Sequence, residues 1–357
     1  MSPAMPDDGL PSGPRTAAGS TAAALIAVAV GVGAYFGTAV AASAAGTTTG
    51  AGGTAYEAYV ATAGYVATIN TRTKTMGPTY GADSAAGAAL SPDHRKLYVA
   101  NTGQFSILSI DLATNTRTSI TVGPYPQAVA VAPSGATVYA TVTGGDTGPG
   151  GSHTVAVIDA ATNKVTDQIS VGSAPRQIVL NASGSRAYVG TGQGLYVIDT
   201  ASNQVVGAVR TPTDVQGLAL SPDGGELYAT APNEDEVLVI STRSLTVRRT
   251  FAAGAEPWAV GVTPDGGRLY VADTNSNSVA VLDAHNGRTL DTIAVGSLPT
   301  AIAVTPDGAQ VWVGNTLSGN LSVIDTATGK PAATIPGGPG TSTLDWAPGA
   351  IVFAPAG

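Results

Sequence analysis

A chain of 357 residues accommodates one large all-β domain or two ordinary domains. With 46 Gly, 23 Pro and only 11% charged residues, it suits many short strands joined by tight turns and argues against long amphipathic helices. The 16 basic residues are scattered among 24 acidic ones, so no basic stripe exists for a nucleic acid, and the absence of Cys excludes disulfides, thiolate metal sites and a Cys nucleophile.

Residues 1–45 read as an export segment. A Pro/Gly-rich lead carrying Asp7, Asp8 and Arg15 precedes an uncharged run, "AAALIAVAVGVGAYFGTAV", at 22–40. That run is long enough to span a bilayer, yet small-residue cleavage sites come after it at 39–41 and 42–44. Cleaved signal peptide and uncleaved membrane anchor stand at even odds; either exports the downstream chain, as a secreted or membrane-tethered protein. Residues 46–55 form a Gly/Thr-rich linker, and 56–357 remain for the folded domain.

From Tyr59 onward the chain repeats. The turn "SPDH" at Ser91 recurs as "APSG" at Ala132, "NASG" at Asn181, "SPDG" at Ser221, "TPDG" at Thr263 and Thr305, and shortened as "APGA" at Ala347. Six of these turns are followed at a constant distance by an aromatic: Tyr98, Tyr139, Tyr188, Tyr228, Tyr270 and Trp312. A further strand then ends at Asp111, Asp159, Asp199, Ser241, Asp283 or Asp325, with Asn70 in the same role earlier. The period is 40–42 residues except for one longer unit, which carries a Gly-rich insertion at 141–154. Four short alternating segments per period, such as "WAVGVT", "RLYVAD", "SVAVLD" and "TLDTIAV", are strands A to D of a propeller blade.

The sequence therefore predicts a seven-bladed β-propeller with four antiparallel strands per blade. The first unit lacks strand A; "STLDWAP" at 342–348 supplies it, so that the N- and C-terminal segments close the ring in one composite blade. "IVFAPAG" at 351–357 reads as a shortened strand B competing with 56–61.

The phrases "LYVAN", "ILSIDLATN", "VAVIDAATNKV", "LYVIDTASN" and "GNLSVIDTATGK", with "VGSAPRQ" and "VGSLPTA" between units, resemble the YVTN β-propeller repeat family over residues 56–350. The resemblance implies a seven-bladed propeller, usually exported in bacteria and archaea, within a superfamily that includes lactonases and quinoproteins. It implies no shared active site.

Strand polarity sorts the loops. A-to-B and C-to-D turns emerge on one face and carry regular Asp, Asn and Pro turn chemistry, a structural role. B-to-C loops and D-to-A connections share the other face, which is more varied: "NTGQF", the 141–154 insertion, "APNEDE", "DTNSN" and "NTLSGN". "DTNSN" alternates oxygens like half a calcium loop, but Ser278 and Ala284 stand where such a loop needs Gly and Glu, so it reads as a hairpin tip.

After each D-to-A connection one position faces the channel mouth: Ala86, Gln127, Arg176, Gln216, Trp258, Thr300 and Ser342. Gln127, Arg176, Gln216, Trp258 and Thr300 are candidates for binding a small polar ligand or peptide; a solvated rim is the plainer reading. Asp345 takes a strand-A position that is small in the other units, as Ala89, Ala130, Val179, Ala219, Gly261 and Ala303, and joins the candidates.

No GxSxG elbow, P-loop, CxxCH or paired-His spacing occurs. The expected function is a non-catalytic binding scaffold presenting the B-to-C face to a protein, peptide or envelope component. The alternative is a channel-mouth hydrolase or lactonase holding Ca²⁺ on Asp345 with Asp214 or Glu256. Catalytic residues and cofactors are otherwise expected to be none, membrane contact is confined to the N-terminal segment, and a closed ring is expected to be monomeric.

Overall fold

Alternation of apolar and polar residues over about six positions gives each repeat strands with one buried face, and Gly or Asx turns return the chain between them. In the computed structural model, which describes residues 54–144, 153–211, 213–337 and 347–356, these strands form seven four-stranded antiparallel sheets. Numbered around the ring, blade 1 is composite. Blades 2 to 7 begin with inner strands Ala85–Leu90, Pro126–Val131, Ile178–Leu180, Leu218–Leu220, Pro257–Val262 and Pro299–Val304. Three short 3₁₀ turns, Thr102–Gln104, Pro232–Glu234 and Thr274–Ser276, are the helical segments among the described residues.

The repeated aromatics sit between blades. Tyr98, Tyr139, Tyr188, Tyr228, Tyr270 and Trp312 are all at most 3% exposed, and Tyr59 occupies the same register position in blade 1. Each fills a cluster shared with a neighbouring sheet, so the core is a ring of seven interblade layers rather than one centre. Strands C and D slip register at one recurrent site, between Val157 and Ile158, Val197 and Ile198, Val239 and Ile240, Val281 and Leu282, and Val323 and Ile324. Such bulges increase the twist that lets flat sheets stack radially.

The outer turns behave as local chemistry requires. Asp93, Asp223, Asp265 and Asp307 accept from the hydroxyl two residues earlier, and Asp111, Asp159, Asp199 and Asp325 accept from the amide three residues later. Those bonds hold the carboxyl groups of Asp93, Asp111, Asp159, Asp199, Asp223, Asp265 and Asp325 below the usual range.

Ring closure occurs where the sequence places it, but with a different strand. Tyr56–Ala61 pairs on one side with Tyr65–Asn70 and on the other with Ala350–Pro355, from Tyr56 opposite Pro355 to Ala61 opposite Ala350. The closing strand is thus 350–355, not 342–348, and the "IVFAP" segment is strand A itself rather than a competing strand B. The reason is burial: Ala350, Ile351, Val352 and Ala354 are each at most 6% exposed. Phe353 adds edge-on ring contacts to Trp312 at 5.9 Å and Tyr56 at 6.5 Å. In this blade strand A, Ala350–Pro355, lies far along the chain from strand B, Tyr56–Ala61, so no A-to-B turn joins them and "APGA" at Ala347 precedes strand A instead of following it.

That register moves two other assignments. Val352 lies opposite Tyr59, as Ala303 lies opposite Trp312 and Ala89 opposite Tyr98. Val352, not Asp345, therefore holds the small strand-A position, and Gly349, three residues earlier, replaces Ser342 at the mouth. Asp345 and Ser342 themselves lie outside the described residues, as do residues 1–53 and most of the 141–154 insertion. Among the described residues no helix is long and apolar enough to cross a membrane.

Candidate functional site

The mouth positions are built on backbone that neighbouring blades pin in place. Thr102 Oγ1 donates to the Pro126 carbonyl at 2.7 Å, Thr141 Oγ1 to Arg176 O at 2.7 Å, Thr230 Oγ1 to Trp258 O at 3.1 Å, and Thr274 Oγ1 to Pro299 O at 2.8 Å. A hydroxyl from strand B, or from the turn just after it, thus fixes the segment that opens strand A in the next blade. The side chains there do not form a solvated rim: Gln127, Gln216 and Thr300 are 1%, 7% and 3% exposed, while Arg176 and Trp258 are half-buried. Gln127 Nε2 donates to Tyr125 O at 3.1 Å, and the Thr300 and Thr316 hydroxyls hydrogen-bond each other at 2.5 Å. Buried amides and hydroxyls need such partners, and Gln127 Oε1 is left without one.

Acidic residues gather where blades 5 and 6 meet. Gln216 Nε2 donates to Asp214 Oδ2 at 2.8 Å, and Asn233 Nδ2 to Asp214 Oδ1 at 2.9 Å. Asp235 Oδ1 accepts from the Glu256 amide at 2.8 Å. Burial raises the Glu256 pKa, and the Asp235 and Asp214 carboxylates raise it further. Asp214 and Glu256 are thereby brought within electrostatic reach of each other. Among the described residues, however, no three His, Asp or Glu side chains converge as metal ligands. Asp345, the carboxylate expected to hold calcium with Asp214 or Glu256, lies outside the described residues.

"DTNSN" is a hairpin tip, with Asp273 opposite Ser278, a 3₁₀ turn over Thr274–Ser276 and Asn277 in the left-handed region at φ 53°. The next interblade link is regular: Asn277 Oδ1 accepts from the Leu298 amide at 2.9 Å, as Asp235 accepts from Glu256. In blade 2 the same pair of positions holds Phe105 and Tyr125. Their rings meet edge to face at 5.4 Å, and the side chains remain 42% and 44% exposed. Both residues have left-handed backbone, φ 55° and 54°, a conformation that bulky side chains rarely adopt. An aromatic pair thus replaces a polar link and stands on the B-to-C face, where Leu317 is also 62% exposed.

Two features of this face are hidden in the sequence. Phe105 shows there only as the last letter of "NTGQF"; its partner Tyr125 lies in another loop, and the pairing needs the fold. Asp273 has the pattern of a turn residue, yet it is fully buried. The available signal was positional: the equivalent residues of the other blades, Thr62, Asn101, Val142, Thr191, Ala231 and Asn315, are all uncharged.

The family model described as "Lactonase, 7-bladed beta-propeller" matches residues 159–336, which span the last strand of blade 3 and the whole of blades 4 to 7. The chain is a seven-bladed β-propeller, similar to the lactonase family over that half. It is 26% identical over 212 residues to the uncharacterized protein YwhL of Bacillus subtilis, covering 57% of this chain and 45% of that protein. It is 39% identical over 83 residues to the seven-bladed β-propeller protein Rv1057 of Mycobacterium tuberculosis, covering 22% of this chain and 21% of that one. The matched stretches thus span less than half the length of these curated relatives. Among solved structures, Kuenenia stuttgartiensis hydrazine synthase superposes with TM-score 0.69 at 18% identity, over 84% of this chain and 97% of that one. A functionally unknown protein from Desulfotomaculum acetoxidans superposes with TM-score 0.69 at 13% identity, over 84% and 98%. At such identities the likeness is one of fold.

Proposed function

We propose that this lactonase-like propeller is exported, secreted or tethered by its N-terminal segment, and works as a monomeric binding platform. Its B-to-C face engages a protein or peptide of the cell envelope. The observation that carries this reading is the Phe105–Tyr125 pair, exposed aromatic area held on strained turns that the blades rigidify. Aromatic side chains on pre-organised backbone are the usual anchors of protein interfaces, because little entropy is lost on docking. Export rests on the 22–40 apolar run. The test for export is fractionation of cells expressing the full chain: protein in the medium or on the outer side of the membrane, protease-accessible in intact cells, supports it, and a protease-protected cytoplasmic pool overturns it.

A second reading is favoured by the family match and by Glu256, whose raised pKa suits a general base beside Asp214. In that reading the channel mouth hydrolyses a lactone. Turnover of a panel of aldonolactones and acyl-homoserine lactones, abolished in Glu256→Gln, supports hydrolysis; equal rates for the variant and the wild type remove it.

A further inference from the structure

The blades are near-copies, so each serves as a control for the others at the end of strand B. In blade 7, Asn315 is fully buried and its Nδ2 donates to Asn320 Oδ1 at 2.8 Å and Ser322 Oγ at 2.9 Å. The register makes Asp273 the counterpart of Asn315, Ser278 of Asn320, and Ala280 of Ser322. In blades 2, 4 and 5 the position of Ala280 is filled instead by Leu108, Tyr196 and Leu238. Blade 6 alone among the described blades combines an acid at the strand end with these small neighbours.

Here lies a half-open pocket of about 410 Å³ lined by Gly254, Asp273, Ser276, Ser278, Ala280 and Thr292, with Ala253, Ala294 and two other loop and strand residues. The volume falls within the range of small-molecule sites and far exceeds a single water. Asp273 is 0% exposed, so its carboxylate lies just beneath the pocket wall and meets a ligand by rotating toward it, and neither carboxylate oxygen makes a well-directed hydrogen bond. The nearby amides of Gly254 and Ala280 approach it without completing one, and they offset only part of the burial penalty. The amide that an equivalent Asn accepts from in blade 2, where the Asp83 N–H bonds Asn101 Oδ1, is here that of Ala255, which bonds Ser276 Oγ at 3.0 Å instead. A Cβ on Gly254 would lie 2.5 Å from Asp273 Oδ2, so glycine is needed for the backbone to pass this carboxylate.

We propose that the blade 6 cavity is a binding site for a small organic cation bearing an ammonium group, with the Asp273 carboxylate as counter-ion and the hydroxyl-bearing wall of Ser278 and Thr292 around it. The ammonium supplies the donors that Asn315 Nδ2 supplies to its own neighbours in blade 7. A divalent cation fits less well: calcium takes 6–8 oxygens, usually with several carboxylates, and Asp273 is the one carboxylate lining the cavity. The surroundings favour positive charge, since Asp235 acts on Asp273 through space. Among the lining residues Asp273 alone titrates. This site goes beyond the platform reading and stands or falls separately from it.

Burial pushes the Asp273 carboxyl up to about 7. An alkylammonium stays charged to well above pH 9, so its affinity follows the ionised fraction of Asp273, about tenfold higher at pH 8 than at pH 6. The test is calorimetric titration of the full chain with n-propylamine hydrochloride at both pH values, with n-propanol, sodium propionate and CaCl₂ as parallel probes. The expected result is saturable one-site binding of the amine alone, tightening about tenfold from pH 6 to pH 8 and lost in Asp273→Asn. Asn is native at the equivalent positions 101 and 315, so this variant should fold. The double variant Asp273→Asn/Ala280→Ser rebuilds the blade 7 arrangement and closes the cavity, and its melting curve reports folding independently. Binding of the amine by either folded variant, equal binding of n-propanol, no binding of the amine by wild type, or saturation by calcium but not by the amine would each overturn the proposal.

Discussion

Replacing Asp273 by Asn tests whether an unpaired acid is held inside blade 6. Its carboxyl shifts from an ordinary 3.8 to about 7 on folding, chiefly through burial. The folded state thus binds this proton more tightly than the unfolded chain. Its cost to stability is absent below about pH 3.8, grows as pH rises toward 7, and is constant above that. At about 1.4 kcal/mol per unit, a shift of about 3 units sets a ceiling of about 4 kcal/mol at pH 8, falling to about 2 kcal/mol at pH 5. Asn carries no such penalty, although its amide must find partners in a wall where Ala280 replaces Ser322. About half the ceiling, roughly 2 kcal/mol, is therefore the expected gain at pH 8. For some 300 folded residues, with an unfolding entropy of about 2 cal/mol/K each, that raises Tm by about 3 °C. Differential scanning calorimetry of wild type and Asp273→Asn from pH 5 to 8 should show the gap widening with pH. A gap that is constant with pH, or a variant less stable at pH 8 than wild type, would refute a buried unpaired carboxylate.

The ring itself gives two further outcomes. Removing residues 347–357 strips strand A from blade 1 and exposes the Trp312 cluster. At about 2 kcal/mol each for Ile351, Val352 and Phe353, the loss is about 6 kcal/mol, and Tm should fall by about 10 °C; an unchanged Tm contradicts closure by 350–355. Lys74 lies over the Trp312 ring at 4.8 Å and donates to Gln310 Oε1 at 2.6 Å, and burial lowers its pKa to about 8. Mass-spectrometric mapping after brief acetic anhydride treatment at pH 8 should find Lys74 labelled ahead of Lys96, Lys164 and Lys330; labelling no faster than theirs argues against the shift.

The fold was legible because its determinants are local and repeated. A buried aromatic such as Tyr270 and a turn such as "TPDG" recur at a constant spacing, and strands alternate by themselves. Closure was half legible: the missing strand A could be counted, but blade 1 has no A-to-B turn to anchor its register. "STLDWAP" followed by "APGA" imitates the strand-and-turn order seen elsewhere, and only pairing with Tyr56–Ala61 selects 350–355. The shift of the mouth position from Ser342 to Gly349 has that same origin. Gln127, Arg176, Gln216, Trp258 and Thr300 stand at equivalent positions, in or just before strand A of their blades. Their burial was not legible, because it depends on threonine hydroxyls from adjacent blades. Phe105 with Tyr125, and Asp273 with Gly254, meet across blade junctions, where sequence distance carries no signal.

Whether the B-to-C face binds is decided by co-sedimentation of the purified full chain with envelope fractions, comparing wild type, Phe105→Ser/Tyr125→Ser, and Val205→Ser/Val206→Ser on an outer strand. Loss of two aromatic anchors at an interface costs about 2 kcal/mol or more. A binding role for this face predicts at least a tenfold weaker association for the aromatic pair variant and wild-type association for the outer-strand control. Equal association of all three proteins, or loss only in the control, would contradict it.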